Sequence, residues 1–271
     1  MLVDRVEGLG RPARPPGASP LLRWFVLRNK ALCLALTPRR YQPDRLYRRY
    51  DALVGTLIAG TRGQLVLDVG AGKWSSYADA LPSKNACTFV GLDLDQDELE
   101  QNGFLDRCML ADASRDIPLP AGSVDLAISR ATVEHIPDNR RFLANLHRVL
   151  KPGGRVVCVF AGRNAPFALL NRLLPARASR FLIDRLMPDR KDHLGFPTHY
   201  DHTTFRAFSQ LLKEGGFTIE DVETHYFSSN YFAFFLPIYL VSFLGDALRA
   251  LLGVRALASY YLFVATKDPA T

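Results

Sequence analysis

The ten residues from Leu65 to Trp74 constrain the fold of this chain more than any other stretch. The first five are mostly apolar and include two valines, which is typical of a strand buried on both faces of a parallel sheet. Gly70 and Gly72 follow at once, and two glycines one residue apart let the backbone turn sharply and approach a ligand without a Cβ in the way. We expect a helix over Trp74 to Leu81. The segment therefore predicts the strand, glycine turn and helix that open a nucleotide-binding sheet.

Two residues around this turn distinguish it from a cradle for a pyrophosphate. Ser75 stands where the dinucleotide pattern has its third glycine. Asp68 lies two residues before the first glycine, where a carboxylate would repel a pyrophosphate but suits a cationic ligand. A nicotinamide-dependent reductase on a similar sheet is therefore disfavoured.

Short apolar runs recur along the chain and alternate with helical patterns. Strands are expected over residues 65–69, 87–93, 107–111, 124–129, 155–160, 217–222 and 258–266. A helix is expected over 138–150, before the helix-stopping Lys151-Pro152-Gly153-Gly154, and another runs to Glu214 from a cap at Thr203 or Thr204. This alternation predicts an α/β fold with a doubly wound, Rossmann-like parallel sheet and helices on both faces.

Acidic residues mark the ends of the second and third strands. Asp93 lies 21 residues beyond Gly72, at the tip of the second strand, where an acid can bind ribose hydroxyls; Asp95 is a nearby alternative. The third strand ends in Asp112-Ala113. Open α/β sheets bind ligands at the carboxyl ends of their strands, so we expect these acids to face one site.

The order of these motifs resembles the class I S-adenosylmethionine-dependent methyltransferases. The resemblance covers about Leu65 to Phe160 well and the C-terminal strands more loosely. The motifs that carry it are Val66–Gly72, Val90–Asp93, Asp112–Ala113, Ile117–Leu119, Ser123–Leu126, Glu134–Ile136 and Arg148–Gly154. The last two are the most specific, and they are similar to the subgroup that acts on small or lipid-like acceptors.

The resemblance implies an enzyme with S-adenosyl-L-methionine as cofactor, on a seven-stranded sheet whose last strand is antiparallel. The chemistry of the residues agrees, because Asp68 suits the sulfonium and ammonium charges, the glycine amides suit the carboxylate, and Asp112 can accept from the adenine amine. Methyl transfer is a direct displacement, so the enzyme need only align the reacting atoms and remove a proton. The candidate cofactor-binding residues are Asp68, Gly70, Ala71, Gly72, Asp93, Leu94, Asp112, Ala113 and Arg130.

Histidines are the candidates for proton removal. His135 follows the fourth strand, at the edge where the site is expected, and an imidazole titrates near neutral pH. His199 belongs to a group with His193, Tyr200 and His202 beside a long insertion. His135 and His199 are therefore the catalytic candidates, and the alternative for each is a structural histidine.

Several partners are disfavoured by what the sequence lacks. After the fourth strand the chain reads Ser129-Arg130-Ala131-Thr132, with no Asn-Pro-Pro-Tyr-like run, so a nucleic-acid acceptor is not expected. The four cysteines are scattered, without a His/Cys cluster at metal spacing, which indicates reduced thiols in a cytoplasmic protein and no metal. A non-catalytic scaffold on the same fold is the alternative function, but it would have no need of three spaced acids.

Charge and hydrophobicity are concentrated outside the predicted catalytic core. Residues 1–50 hold eleven Lys and Arg against three Asp and Glu, a balance of +8, so the remaining residues of the +7 chain have a balance of −1. We expect a basic helical arm over 1–60 and a methyltransferase domain over 61–271, with a helical lid insertion at 162–200 and a hydrophobic segment at 226–252. The arm suits an anionic surface.

The stretch from Tyr231 to Leu244 is the most hydrophobic in the chain and contains Pro237. It is shorter than a membrane span and lies between two strands of one sheet. We expect it to attach the protein peripherally to the inner face of a membrane and to give access to a hydrophobic or lipid-linked acceptor. The alternatives are packing on the core and a homodimer interface.

Overall fold

A seven-stranded sheet organises the part of the chain that the computed structural model describes, which is residues 19–42, 44–81, 83–174 and 197–269. Its strands are β1 (Leu65–Val69), β2 (Thr88–Asp93), β3 (Arg107–Leu110), β4 (Val124–Arg130), β5 (Leu150–Ala161), β6 (Phe217–His225) and β7 (Tyr260–Lys267). The helices are α1 (Pro20–Leu36), α2 (Arg45–Ala59), α3 (Gln96–Gln101), α4 (Asn139–Val149), α5 (Pro166–Leu173), α6 (Phe205–Glu214) and α7 (Leu236–Leu252).

The strand order is β3-β2-β1-β4-β5-β7-β6, and only β7 runs against its neighbours. The predicted fold class, including the antiparallel last strand, is confirmed. Ala161 and His225 both pair with Tyr260, so the ends of β5 and β6 lie beside the start of β7. The connections that leave β5 and join β6 to β7 therefore begin at the same edge as the glycine turn after β1.

Helices cover both faces of the sheet because successive strand residues point to opposite sides. Leu67 and Val69 belong to a core cluster with α4 and α6, whereas Val66 belongs to a cluster with α2. The α2 residues with no exposed surface are Leu46, Tyr50, Val54 and Ile58. Burial of each such apolar side chain contributes roughly 1.5–3 kcal/mol, so α2 is packed firmly on the sheet.

The prediction of an α-helix over Trp74 to Leu81 is wrong. The chain forms only a 3-10 turn over Ser76–Ala80, and Ser75 before it is extended. Tyr77 points inward and contacts Phe89 and Phe104, which requires the tighter turn. Pro82 follows in the sequence and would stop a longer helix. The described residues 74–81 therefore supply no α-helical amides after the glycine turn.

Two other expectations are corrected by prolines. Within the arm that is expected to be helical over 1–60, the pattern from Arg39 to Ile58 predicts one helix, but the structure divides it into a 3-10 turn and α2, because Gln42 is extended before Pro43, as residues before proline tend to be. Pro237 does not break the apolar segment but lies in the first turn of α7, where a missing amide costs nothing.

The remaining elements agree with the sequence to within a few residues. The predicted helix that leads to Glu214 is capped by Thr204, whose hydroxyl accepts from Ala207 N. The stretch 151–154, predicted to stop the preceding helix, follows the end of α4 at Val149 and forms an irregularity inside β5. Of the predicted lid insertion, α5 is described, while residues 175–196 lie outside the described part of the chain.

Among the helices of the described residues, none is both long and apolar enough to cross a membrane.

A buried ion pair fixes α7 to the sheet edge. Asp246 accepts from the amides of Ser228 and Ser229 at 2.7 and 2.8 Å and pairs with Arg249. Arg249 also donates to the carbonyls of Tyr226 and Leu257, which flank the ends of β6 and α7. The two charged residues of α7 are thus used to hold the helix in place.

We predict that Asp246→Ala lowers the free energy of unfolding by about 3–5 kcal/mol, because it leaves Arg249 buried without its partner and two amides without their acceptor. Chemical denaturation measures the loss. Asp116→Ala, which breaks an exposed pair with Arg148, is the matched control and should cost less than about 1 kcal/mol. Equal losses in the two variants would mean that the ion pair does not hold α7.

Candidate active site

The glycine turn after β1 has a geometry that only glycine tolerates well. Gly70 and Gly72 have φ values of +74° and +52°. A Cβ on Gly70 would overlap the side chain of Thr132, which follows β4. The Gly70 amide donates to Leu92 O at 2.7 Å. The turn is therefore fitted between the ends of β2 and β4.

Asp93 lies against this turn. One of its carboxylate oxygens accepts from Gly72 N at 2.9 Å, and the other accepts from the amides of Leu94 at 2.7 Å and Asp95 at 3.1 Å. Asp95, the alternative from the sequence, instead caps α3 by accepting from Glu98 N. The structure therefore brings Asp93, and not Asp95, to the turn.

Asp68 is a buried carboxyl beside the turn. Only 5% of its surface is exposed, and Tyr77 donates a hydrogen bond to it at 3.0 Å. Burial raises the pKa of Asp68 to about 7, and the charge of Asp93 adds to this, while Tyr77 and Arg130 oppose it. A nearby cation would favour the ionised form.

The helix α2 covers this carboxyl with polar groups that the sequence analysis missed. Asp51 lies 3.7 Å from Arg130 Nε, and the Arg130 guanidinium lies 4.6 Å from the Tyr47 ring. The Tyr50 hydroxyl and Arg130 Nε are buried without a hydrogen-bond partner among the described residues. The only sequence signal was the helical spacing of Tyr47, Tyr50 and Asp51, which also fits an ordinary packed helix.

The third strand contributes a turn at Asp112. Its carboxylate accepts from Ser114 N at 2.9 Å and Ser114 Oγ at 2.6 Å, and Arg115 lies 3.3 Å away. Ala113 is buried, and Asn145 of α4 donates to its carbonyl at 2.9 Å. Asp112 is therefore held in one position at the same edge of the sheet.

Beyond β4, Glu134 is a buried carboxyl that the sequence analysis quoted only as part of a motif. It is 5% exposed, one oxygen accepts weakly from Ala161 N at 3.3 Å, and the other has no partner among the described residues. Burial raises the pKa of Glu134. Its main-chain carbonyl accepts from the amides of His199 and Tyr200, so the segment after the insertion lies on it.

The segments that carry the two candidate catalytic histidines adjoin at this point. His135 is half-buried, with Nδ1 3.0 Å from Pro197 O, and His199 is exposed. His202 is paired with Asp201 at 2.7 Å, and His193 lies outside the described residues. The segments of His135 and His199 thus adjoin each other through Pro197 and Glu134, and the proton-accepting role of either side chain stays a prediction.

The groups around the turn fit S-adenosylmethionine. The unpartnered Tyr50 hydroxyl and Arg130 Nε are donors suited to a carboxylate, and Asp68 beside them is an acceptor suited to an ammonium or sulfonium. These charges lie close enough that Asp68 and Arg130 both affect the pKa of Tyr50, which burial raises well above its usual range. An amino-acid tail would supply the partners that these atoms lack.

Comparison with known proteins agrees with this site. Residues 67–158 match a family described as a methyltransferase domain. The chain is 28% identical over 204 residues to the ubiquinone/menaquinone biosynthesis C-methyltransferase UbiE of Methylobacterium nodulans, which covers 70% of this chain and 71% of that protein. It is 34% identical over 147 residues to trans-aconitate 2-methyltransferase of Deinococcus radiodurans, which covers 52% of this chain and 56% of that protein.

The fold is also that of a solved methyltransferase structure. Geranyl diphosphate methyltransferase in complex with S-adenosylmethionine aligns with a TM-score of 0.56 over 96% of this chain and 100% of that one. The identity is 15%, so the likeness concerns the fold alone. The predictions of family, enzyme class and cofactor are confirmed by these comparisons together with the sheet order.

We predict that Asp68 makes stability fall as pH rises from about 4 to 7. Its pKa in the folded state is about 7, above the unfolded value of about 4, so the folded state binds more protons in this window. Relative to Asp68→Asn, the wild-type free energy of unfolding should fall by up to about 1.4 kcal/mol per pH unit, and the difference should level off above pH 7.

Urea denaturation of both proteins between about pH 5 and 8 measures this difference. Asp97→Asn, at an exposed position in α3, is the control and should leave the pH dependence unchanged. Curves for the wild type and Asp68→Asn that run parallel across this range would show that Asp68 is ionised throughout.

Proposed function

Since the chain is a class I S-adenosylmethionine-dependent methyltransferase, we propose that it methylates a small hydrophobic or lipid-linked acceptor by direct displacement. The observation that carries this proposal is the exposed apolar helix α7. It lies in the connection between β6 and β7, which begins and ends at the edge where Asp68, Asp93 and Asp112 face the cofactor site. An acceptor must reach the cofactor from this edge.

The cofactor-binding roles follow from the contacts of each residue. Asp68 would hold the ammonium group, and Tyr50 and Arg130 would hold the tail carboxylate. The amides of Gly70 and Gly72, which the sequence suggested for this carboxylate, instead donate to Leu92 O and Asp93. Asp93 would bind the ribose hydroxyls and Asp112 the adenine amine. Ala71, Leu94 and Ala113 would supply the backbone and apolar walls between them. The bound cofactor supplies an electrophilic methyl group on a sulfonium.

The remaining chemistry belongs to the chain's own residues. Displacement needs an acceptor atom held in line and a group that receives its proton. His135 and His199 are the proposed proton acceptors, since they lie on adjoining segments beyond β4. In this proposal the acceptor lies beside the carboxyl end of β4. There the loop after β4 packs against the glycine turn through the side chain of Thr132.

Apolar side chains are exposed on α5 as well as on α7, at the side of the site where we propose that the acceptor binds. On α5, the leucines Leu169, Leu170 and Leu173 are 43%, 42% and 81% exposed. Phe167 of α5 stacks on Tyr231 at 4.1 Å, one turn before α7. The names of the relatives include both quinone biosynthesis and trans-aconitate, so they do not decide between a hydrophobic and a water-soluble acceptor. The exposed leucines favour the former.

We further propose that residues 1–60 form a basic arm that is joined to the methyltransferase domain over 61–271 through α2, which packs on the sheet, and that the protein works peripherally at an anionic membrane surface. The excess of Arg and Lys in the arm supports this location, because each basic residue near such a surface contributes about 1 kcal/mol.

We predict that Tyr50→Phe affects stability and affinity in opposite directions. Without cofactor, the variant should be more stable by about 1–3 kcal/mol, because it removes a buried hydroxyl that has no partner. Its affinity for S-adenosylmethionine should fall by about 1 kcal/mol, because one donor to the carboxylate is lost. Calorimetry and thermal unfolding measure the two quantities.

Asp93→Ala should also weaken binding, by on the order of 1–3 kcal/mol, whereas Asp97→Ala is the control and should not. Unchanged affinity in Asp93→Ala would rule out the ribose role. A Tyr50→Phe variant that binds as well as the wild type would show that the tail carboxylate lies elsewhere.

The acceptor class is tested with S-adenosylmethionine that carries a tritiated methyl group. The enzyme is incubated in detergent with cell extracts that are then divided into organic and aqueous phases. We predict that the label enters the organic phase, because α5 and α7 present apolar side chains at the edge of the site. Label confined to the aqueous phase would refute the hydrophobic acceptor.

The labelled product also tests the histidines. If His135 or His199 receives the proton, its replacement by Ala should cut turnover by roughly 10²–10⁴-fold with nearly unchanged cofactor affinity. His202→Ala is the control, since His202 is paired with Asp201. If neither variant loses even about tenfold, both histidines are structural.

A further inference from the structure

The helix α7 has its polar and apolar sides reversed relative to a helix that faces water. Its charged residues, Asp246 and Arg249, are 0% and 15% exposed. Its large exposed side chains are all apolar: Ile238, Leu240, Val241, Leu244, Leu248, Leu251 and Leu252. Val241, Leu244 and Leu251 are 72%, 68% and 84% exposed. A surface helix ordinarily keeps a polar face, so this outer face is suited to an apolar neighbour.

The helix α1 extends this face. Asn29 accepts from Leu236 N at 3.0 Å, and the rings of Phe25 and Phe235 lie 6.4 Å apart, so α1 is joined to the start of α7. Only Val26 and Cys33 of α1 are buried. The exposed large side chains of α1 are Leu21, Arg23, Trp24, Phe25, Leu27, Arg28, Leu32, Leu34 and Leu36. The exposed charges of α1 are thus two arginines.

The charge around this face has one sign. Residues 19–43 contain the five basic residues Arg23, Arg28, Lys30, Arg39 and Arg40, and they contain no Asp or Glu. An anionic bilayer is complementary to both the leucines and the arginines. A second copy of this chain would be less so, since a two-fold interface places the same patch of each copy together and brings like charges near each other.

We infer that α1 and α7 form one docking face for an anionic phospholipid bilayer. The leucines of α7 insert among the acyl chains, Trp24 lies at the interface, and the arginines of α1 contact the headgroup phosphates. His225 at the end of β6 pairs with Tyr260 at the start of β7. The connection that contains α7 therefore leaves the sheet and returns to it at the same edge. This rests on the proposed function and specifies its membrane partner: the docked face would direct the acceptor side of the site toward the lipid.

Trp24 reports on this face directly. The chain has two tryptophans, so Trp74→Phe leaves Trp24 as the only one. The probe is a vesicle of phosphatidylcholine with about a third phosphatidylglycerol. Docking should move Trp24 emission to shorter wavelength, make it quenchable by brominated acyl chains, and make the protein float with the vesicles.

Variants separate the contribution of the apolar side chains of α7 from that of the arginines of α1. The triple variant Val241→Ser, Leu244→Ser and Leu248→Ser should reduce partitioning by about tenfold or more for each apolar side chain removed from the acyl region. Leu110→Ser, at a 58% exposed position on β3, is the matched control and should float like the wild type. Arg23→Glu with Arg28→Glu should weaken binding about fivefold or more per residue on anionic vesicles and little on neutral ones. These side chains are exposed, and unchanged thermal unfolding verifies that each variant is folded.

Three results would overturn the docking face. The folded wild-type protein could remain with the soluble fraction at low salt, or the triple serine variant could float like the wild type. A dimer in solution that the triple serine variant converts to monomer would assign the face to a second copy. Tritium transfer in detergent distinguishes these failures from failure of the proposed function: label in the organic phase without vesicle binding refutes only the docking face, and vesicle binding with label in the aqueous phase refutes only the hydrophobic acceptor.

Discussion

The turn after β1 depends on a backbone conformation that places three strands in contact. With φ at +74°, Gly70 brings its amide to Leu92 at the end of β2, and the space where a Cβ would lie is filled by Thr132 after β4. Gly72 then donates to Asp93. Because the same few atoms determine where β2 and β4 end relative to β1, a shift in this turn would displace Asp93 and the loop at Thr132 together.

The main energetic cost of this arrangement is the burial of the Asp68 carboxyl. A carboxyl that is 5% exposed is costly to ionise, which is why burial raises its pKa to about 7. The surrounding Tyr77 and Arg130 compensate only in part, and Tyr50 retains an unpartnered hydroxyl. These groups are therefore electrostatically unsatisfied in the structure, and the proposed ligand, with a cation and a carboxylate close together, would supply both missing partners. Supplying these missing partners would contribute binding energy for the amino-acid tail of the cofactor.

The sequence predicted the sheet and the acids well because both depend on local pattern and on one topological rule. Apolar runs give the strands, and parallel strands bring Asp93 to the same edge as the glycines. The residues that it missed depend on tertiary contacts. Tyr50 reaches Asp68 only because α2 packs across the sheet, and the helix expected at Trp74 is lost because Tyr77 turns inward. The open oxygen of Glu134 likewise follows from burial, which a motif alone does not reveal.

The orientation of α7 is determined by its buried ion pair and does not follow from the hydrophobicity of the helix alone. A buried ion pair adds little net stability over apolar packing, yet Asp246 and Arg249 are buried here while leucines are left on the surface. Exchanging the two faces would bury the leucines and solvate the charges, but it would lose the acceptor for the amides of Ser228 and Ser229. The ion pair therefore fixes which side of the helix faces outward. Because α7 lies in the connection that leaves β6 and returns to β7 at the same edge as the glycine turn, the fold places this apolar helix face at the end of the sheet where we propose that the acceptor binds.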